Sequence, residues 1–364
     1  MMKVTLTNEI LSYITEIEHN RYKVSSVKLS KPVMNRLRKN SKKKSSYASN
    51  KIEGNPLSEK QVDEVIERDE RKHYLKPEQE VRNYFLALNY LEEKVSKKEK
   101  FSQKLILDVQ KLVEKGASKE KIGLRGSMPP GVLFAVYDSK TGNPDYIPPE
   151  YCDIPELLDE LVEYVNTTDD HPLIVAAVVH YQLVTIHPFE DGNGRTARLL
   201  SGYIMDLNGY GFNGIGSLEE YFAYDIDEYY ESIQMGLPAL YYSGRENPPH
   251  PEIWINYFLR MVKLYSGKVC DLQLASEEED IAGSLSFLKG KELLQFLIRN
   301  YRGEFTPIEV SRELSVSNKT VINRLAVLVK NGFAVPVFAN KRIRSYELSE
   351  FTKDHQKEIM KEIS

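Results

Sequence analysis

Apolar residues recur at helical spacing along most of the chain. Between Pro77 and Val95 they fall at Val81, Phe85, Leu88 and Leu91, and between Pro172 and Ile186 at Leu173, Ala177, Tyr181 and Val184. A three-to-four-residue period of this kind predicts helices with one buried stripe. A further helix is predicted from about Gly194 to Leu207, on Leu199, Leu200, Tyr203, Ile204 and Leu207, with others near Asp227–Met235 and Ile253–Tyr265. The run Ser58-Glu59-Lys60-Gln61-Val62 predicts a helix start. One stretch departs from this pattern. Gly131–Tyr137 and Tyr146–Pro149 are short β-prone runs around the turn-rich Asp138–Pro144, which predicts a hairpin or flap.

The polar run Ser276-Glu-Glu-Glu-Asp280 has no apolar content and predicts an acidic linker over residues 271–284. Beyond it, helices at Gly290–Asn300, Thr306–Leu314 and Asn318–Asn331 precede strands at Ala334–Phe338 and Ile343–Leu348. Helix, helix-turn-helix and hairpin in that order predict a small C-terminal winged helix-turn-helix (α+β) domain over 285–350, with a tail at 351–364. The fold class is therefore mainly α with a β-hairpin flap, plus that module. The larger part divides into a helical region at 1–115 and a core at 116–270.

Composition is globular: 364 residues, 41% hydrophobic and 28% charged. No apolar run approaches the roughly 20 residues of a membrane span, and the first residues show no apolar leader segment. Two cysteines, Cys152 and Cys270, exclude a disulfide framework, and a cytoplasmic location is the expectation. The net charge of −4 conceals an asymmetry. Ten basic residues and no acid lie between Arg21 and Lys44, and six basic residues and no acid between Lys319 and Arg344. Subtracting those sixteen positive charges leaves −20 on the rest. Basic islands of this kind mark either a polyanion surface or a solvated face. The second island, on the third helix and wing of the module, suggests a DNA or protein partner at 306–346.

The chemistry concentrates in His187-Pro-Phe-Glu-Asp-Gly-Asn-Gly-Arg-Thr-Ala-Arg198, between two predicted helices. Asp191 stands where an N-cap would. Gly192, Asn193 and Gly194 offer backbone N–H groups at a helix start, where partial positive charge favours an anion. Arg195 and Arg198, three apart, suit a polyphosphate, and Asp191 is a hard ligand for phosphate-bound Mg²⁺. His187 is the loop's only titratable candidate base.

These residues resemble the Fic family signature, His-x-Phe-x-Asp/Glu-Gly-Asn-Gly-Arg-x-x-Arg, at every specified position. Gly123-Leu-Arg125 with the flap and Tyr146–Pro149 resembles the family's target-docking hairpin, and the likeness extends over about residues 45–265. The resemblance implies a Fic-type catalytic core that transfers AMP from ATP to a Ser, Thr or Tyr hydroxyl of a protein docked on the 131–148 flap. By position, His187 would deprotonate the hydroxyl, Asp191 would hold Mg²⁺, and Gly192, Asn193, Gly194 and Arg195 would cradle the α- and β-phosphates. Arg198 would grip the γ-phosphate, and Tyr229 and Tyr230 would line the nucleotide pocket.

Upstream, Ser49-Asn-Lys-Ile-Glu53-Gly54-Asn55-Pro56 reads as a short helix stopped by Gly54 and Pro56. Glu53 at its C-terminal end faces the unfavourable pole of the helix dipole, a cost of about 0.3–1 kcal/mol that a cation would remove. Ser49, Glu53 and Gly54 match the family's inhibitory motif, which implies that Glu53 pairs with Arg198 in the γ-phosphate position. The resemblance thus implies a self-inhibited adenylyltransferase that also modifies itself, with assembly as a homodimer left open. The competing readings are a hydrolase that removes AMP from modified protein, and a nucleotide-sensing DNA-binding regulator.

Overall fold

The computed structural model describes the chain apart from residues 1, 28, 30, 69–70, 72, 119–121, 138–141, 236, 238–247, 249, 287–290, 340–341 and 364, and the side chains of 31, 32 and 277–286. The turn of the predicted flap, the tip of the predicted wing, Lys28, Gly290 and most of the acidic run's side chains therefore lie outside the described residues. Among the described residues, no helix is long and apolar enough to cross a membrane.

The chain is mostly helical and divides into two units, residues 1–22 with 38–269, and 23–37 with 270–364. It opens with α1 (Asn8–Ser26) and α2 (Lys31–Ile52). Four helices then lead toward the centre of the first unit: α3 (Glu59–Glu67), α4 (Lys76–Ser96), α5 (Gln103–Glu114) and α6 (Ile154–Thr167). Helix α3 starts where the sequence indicated, with Ser58 and Gln61 forming a reciprocal capping box. The centre is α7 (Pro172–Ile186), which packs along α8 (Asn193–Leu207), and α4 and α5 also pack against α8. The expected single stripe on α7 is too narrow a description. Eleven of its residues are buried, on every face, because neighbours surround the helix. Helices α9 (Glu219–Tyr224), α10 (Ile226–Gln234) and α11 (Pro251–Ser286) follow. Between α5 and α6, strands β1 (Val136–Tyr137) and β2 (Pro144–Tyr146) pair antiparallel as a short hairpin. The Tyr146 hydroxyl donates to the Thr185 carbonyl at 2.7 Å, which fastens the hairpin beside the end of α7.

The first basic island lies largely on α2, where its charges are used structurally. Lys43 pairs with Glu67 at 2.8 Å and Asp63 at 3.4 Å, Lys44 with Glu220 at 3.0 Å, and Lys42 with Glu92 and, at 2.8 Å, Asn89. These pairs lay α2 against α3, α4 and α9. Each exposed pair contributes little alone, about 0–1 kcal/mol. Their joint effect is orientation.

The acidic run expected to be a linker continues α11, whose backbone stays helical to Ser286. Glutamate is a strong helix former, so a polar run does not by itself signal a break in the helix. The second unit then contains α12 (Lys291–Asn300), α13 (Pro307–Glu313) and α14 (Asn318–Lys330). Antiparallel strands β3 (Ala334–Ala339) and β4 (Arg342–Leu348) follow. The expected tail is two helices, α15 (Glu350–Asp354) and α16 (Gln356–Ile363). Ile359 and Ile363, one turn apart, join Leu294, Leu297, Leu325 and Phe333 in the unit's core, which is why this segment is ordered.

Ile359→Ala should remove roughly 2–5 kcal/mol from the second unit. The expected readout is faster amide hydrogen exchange over residues 293–348, and unchanged protection there would separate α16 from that core.

Candidate active site

Helix α7 ends at Ile186, and the next residue, His187, takes the left-handed conformation (φ 49°, ψ 57°). Non-glycine residues adopt it rarely, so the turn needs outside support. His187 N–H donates to the Leu183 carbonyl at 3.2 Å, and Nδ1 lies 3.2 Å from the Val184 carbonyl. A carbonyl only accepts, so Nδ1 carries the proton and Nε2 keeps its lone pair. Burial pushes the imidazole pKa down to about 4 despite the Val184 carbonyl, and the Arg125 guanidinium adds to that push. The ring rests 5.9 Å from Phe134 of the flap.

Arg125 holds this corner together. Its N–H donates to the Pro188 carbonyl at 2.9 Å and its Nε to the His187 carbonyl at 2.8 Å. The guanidinium also donates to the Pro149 carbonyl and lies 4.7 Å over the Phe134 ring. One side chain thus links both ends of the flap to the loop that carries His187.

The α8 N-terminus differs from the expectation in one detail. The N-cap is Gly192 (φ 82°), not Asp191. The left-handed turn favours glycine, and a Cβ there would come within 2.6 Å of Glu114 Oε1. Asp191 sits just outside, accepting the Gly192 N–H at 2.8 Å. The Asn193 side chain closes the loop on itself, with Oδ1 accepting the Phe189 N–H at 3.0 Å and Nδ2 donating to the Phe189 carbonyl at 2.8 Å. Thr196 N–H makes the first backbone bond within the helix, to Gly192 O. The amides of Asn193, Gly194 and Arg195 therefore form an anion seat at the positive pole of α8.

The two arginines, both 3% exposed, diverge to different carboxylates. Arg195 donates to Glu114 at 2.9 Å and to Asp191 at 3.2 Å. Burial raises the Glu114 pKa to about 7 against the pull of Arg195. Arg198 donates from Nε to Ser49 Oγ at 2.8 Å, and from one terminal nitrogen to Ser49 O at 3.1 Å and Glu53 Oε1 at 2.5 Å. Its other terminal nitrogen donates to the Tyr229 hydroxyl at 3.3 Å. Burial works against its charge, but Tyr229 and Glu53 outweigh that and hold its pKa up.

Glu53 follows the last residue of α2, so the short helix read from the sequence is the final turn of a 22-residue one. Gly54 (φ 79°) turns the chain, and Asn55 anchors it by donating to Glu80 at 2.9 Å and to the Pro77 carbonyl at 3.0 Å. The Glu53 carboxylate covers the α8 N-terminus so closely that a Cβ on Gly194 would lie 2.4 Å from Oε1. Any side chain at Gly194 would displace it.

Among the residues singled out from the sequence, His187, Asp191–Arg195, Arg198, Ser49, Glu53 and Gly54 converge on this one place. Tyr229 does not line an opening. It is 1% exposed, behind Arg198, while Tyr230 is 46% exposed beside it. Glu114 and His180 were not singled out. Both stand in apolar helical runs, where the one local signal is a polar residue interrupting the stripe, and their partners lie 81 and 49 residues away.

Residues 57–205 match the Fic/DOC family. Protein adenylyltransferase fic-1 of Caenorhabditis elegans is 46% identical over 67 residues, 18% of this chain and 13% of that protein. Protein adenylyltransferase Fic of Drosophila grimshawi is 27% identical over 206 residues, 54% of this chain and 40% of that protein. The matched stretches thus span less than half of these relatives. A crystal structure of a Fic family protein from Desulfovibrio desulfuricans G20 superposes with a TM-score of 0.62 at 20% identity, covering 96% of this chain and 98% of that one. Residues 134–508 of C. elegans Fic-1 superpose with a TM-score of 0.56 at 24% identity, covering 73% and 72%. Both likenesses concern the fold.

An NMR titration of the His187 ring should show a midpoint near pH 4, with the neutral Nδ1–H form throughout pH 6–8. A midpoint at or above the ordinary value of about 6.5 would contradict the burial argument.

Proposed function

We propose that this chain, which carries a Fic/DOC domain, is a self-inhibited protein adenylyltransferase that transfers AMP from ATP to a protein hydroxyl, including hydroxyls of its own. The single observation that carries the reading is the Glu53 carboxylate seated between Arg198 and the open amides of α8. A site that attracts one anion so strongly suits a phosphate chain, and a carboxylate already there competes with it.

In the transfer, the target hydroxyl oxygen attacks the α-phosphorus while its proton passes to His187 Nε2. The bond from that phosphorus to the β-phosphate oxygen breaks, and pyrophosphate leaves with the electron pair. Such transfers depend mainly on positioning and charge stabilisation. The amides of Asn193, Gly194 and Arg195 cradle the α- and β-phosphates, while the Asn193 side chain keeps the loop shut. The Arg195 guanidinium faces Glu114 and Asp191 and fixes Asp191 in place. The donor set suits Mg²⁺: Asp191 is a hard carboxylate at the rim with about a third of its side chain exposed, and Mg²⁺ bound to nucleotides is commonly held by one or two carboxylates plus phosphates. When bound, that ion neutralises phosphate charge. The edge of β1 and β2 receives an extended stretch of the target by strand addition. Tyr230, not Tyr229, borders the nucleotide.

Glu53 is the brake, because Arg198 cannot hold both its carboxylate and a γ-phosphate. Glu53→Gly should raise incorporation from α-³²P-labelled ATP at least tenfold, self-labelling included, and adding His187→Ala should abolish it. Labelling no higher than in the parent would remove the brake. Release of AMP from modified protein without ATP would replace the transferase with a hydrolase.

The second unit supports a further reading, a winged helix that binds duplex DNA. Its α13–turn–α14 and β3–β4 follow the winged-helix order. No acidic residue occurs from Leu314 to Tyr346, while Lys319, Lys330, Arg342 and Arg344 are exposed. Full-length protein should bind a mixed-sequence 30-base-pair duplex by fluorescence anisotropy, at least tenfold more weakly at 200 mM than at 50 mM salt. Arg342→Glu with Arg344→Glu should abolish it. Salt-insensitive or absent binding would make this unit a protein-contact module.

A further inference from the structure

Behind Arg198 lies a closed circuit of hydrogen bonds, and the direction of each bond follows from its neighbours. A guanidinium only donates, so Arg198 donates to the Tyr229 hydroxyl at 3.3 Å. The single Tyr229 proton then goes to His180 Nε2, 2.8 Å away. Burial pushes the His180 pKa well down, so the ring is neutral and its one proton sits on Nδ1. That proton faces Ser201 Oγ at 3.4 Å, and the Ser201 hydroxyl donates to the main-chain carbonyl of Arg198 at 3.0 Å. The circuit begins and ends on one residue.

Its members have little freedom to rearrange. His180, Tyr229, Ser201 and Arg198 are all buried. Trp254 stands 4.9 Å from the His180 ring but gives its indole N–H to the Ala177 carbonyl at 2.8 Å, so it offers no alternative partner. Breaking the Tyr229–His180 bond would deprive two buried polar groups of a partner.

The circuit also determines what Arg198 presents. A guanidinium has five N–H donors. Ser49 Oγ takes the one on Nε, Ser49 O one on a terminal nitrogen, and Tyr229 one on the other. One hydrogen on each terminal nitrogen remains, and that edge faces Glu53 over Gly194. We propose that Tyr229 and His180 are positioning residues that hold Arg198 with this two-donor edge turned toward the anion seat, so that ATP is preferred to ADP once Glu53 withdraws. The proposal rests on the reading of Arg198 as the γ-phosphate contact. A circuit serving only to stabilise the bundle would weaken both nucleotides alike.

The test compares ATP and ADP dissociation constants by calorimetry, with Mg²⁺, in a Glu53→Gly parent. Adding Tyr229→Phe should weaken ATP about tenfold and leave ADP within about twofold. Ser201→Ala opens the circuit without touching its aromatic wall and should lose ATP preference in the same direction, less steeply. His180→Gln keeps an acceptor for the Tyr229 proton and should retain more of the preference than His180→Leu. Equal weakening of ATP and ADP, or full ATP preference in both Tyr229→Phe and Ser201→Ala, overturns the positioning role alone. A Glu53→Gly parent that binds ATP and ADP equally well overturns the γ-phosphate reading, and the positioning role with it.

Discussion

Two guanidinium groups, Arg195 and Arg198, are buried at the start of one helix, and burying an ion is tolerated only when partners replace its water. Much of the architecture around α8 answers that requirement. Arg195 draws in Glu114 from the end of α5 and Asp191 from the preceding loop. Arg198 draws in the last turn of α2, through Ser49 and Glu53, and the phenol of Tyr229 from α10. Three helices distant in sequence are thereby anchored to the first turns of α8.

The partners are not equivalent. Ser49 is fully buried, and Tyr229 nearly so, and both hold Arg198 from within. Glu53 keeps a third of its side chain exposed and sits where the chain turns out of α2. It is the least buried of Arg198's three partners. A buried cation with one partly exposed anion among its partners is the arrangement on which the proposed brake rests. His187 complements this from the other side of the loop, kept neutral by burial with Nε2 unprotonated.

The charge asymmetry of the sequence resolves differently for its two islands. On α2 the lysines meet carboxylates of α3, α4 and α9, so that island is a clasp on an acidic body. The same clasp sets where Glu53 emerges, which links a seemingly bland charged face to the candidate site. Of the C-terminal island, Lys319, Lys330, Arg342 and Arg344 are exposed on α14 and β4. Net charge could not distinguish these outcomes, because it does not record which cations find partners.

What the sequence determined by itself was local. Helical periods located α4, α7 and α8, Ser58 marked the start of α3, and the His187–Arg198 spacing marked the loop, since each depends on residues within a turn or two of one another. The helical backbone of the acidic run and the two helices of the C-terminal segment were not legible, because polarity and position along the chain do not show where a helix continues. Only the tertiary structure decided that Asn193 spends its side chain on Phe189, that Arg195 and Arg198 part company, and that Tyr229 is buried against Arg198. It also recruited Glu114 and His180, whereas the meeting of Glu53 and Arg198 across 145 residues was already implied by the resemblance of Ser49, Glu53 and Gly54 to the inhibitory motif. Those outcomes follow from desolvation: a buried charge takes the partner that the packed helices bring within reach, and spacing along the chain carries no information about that.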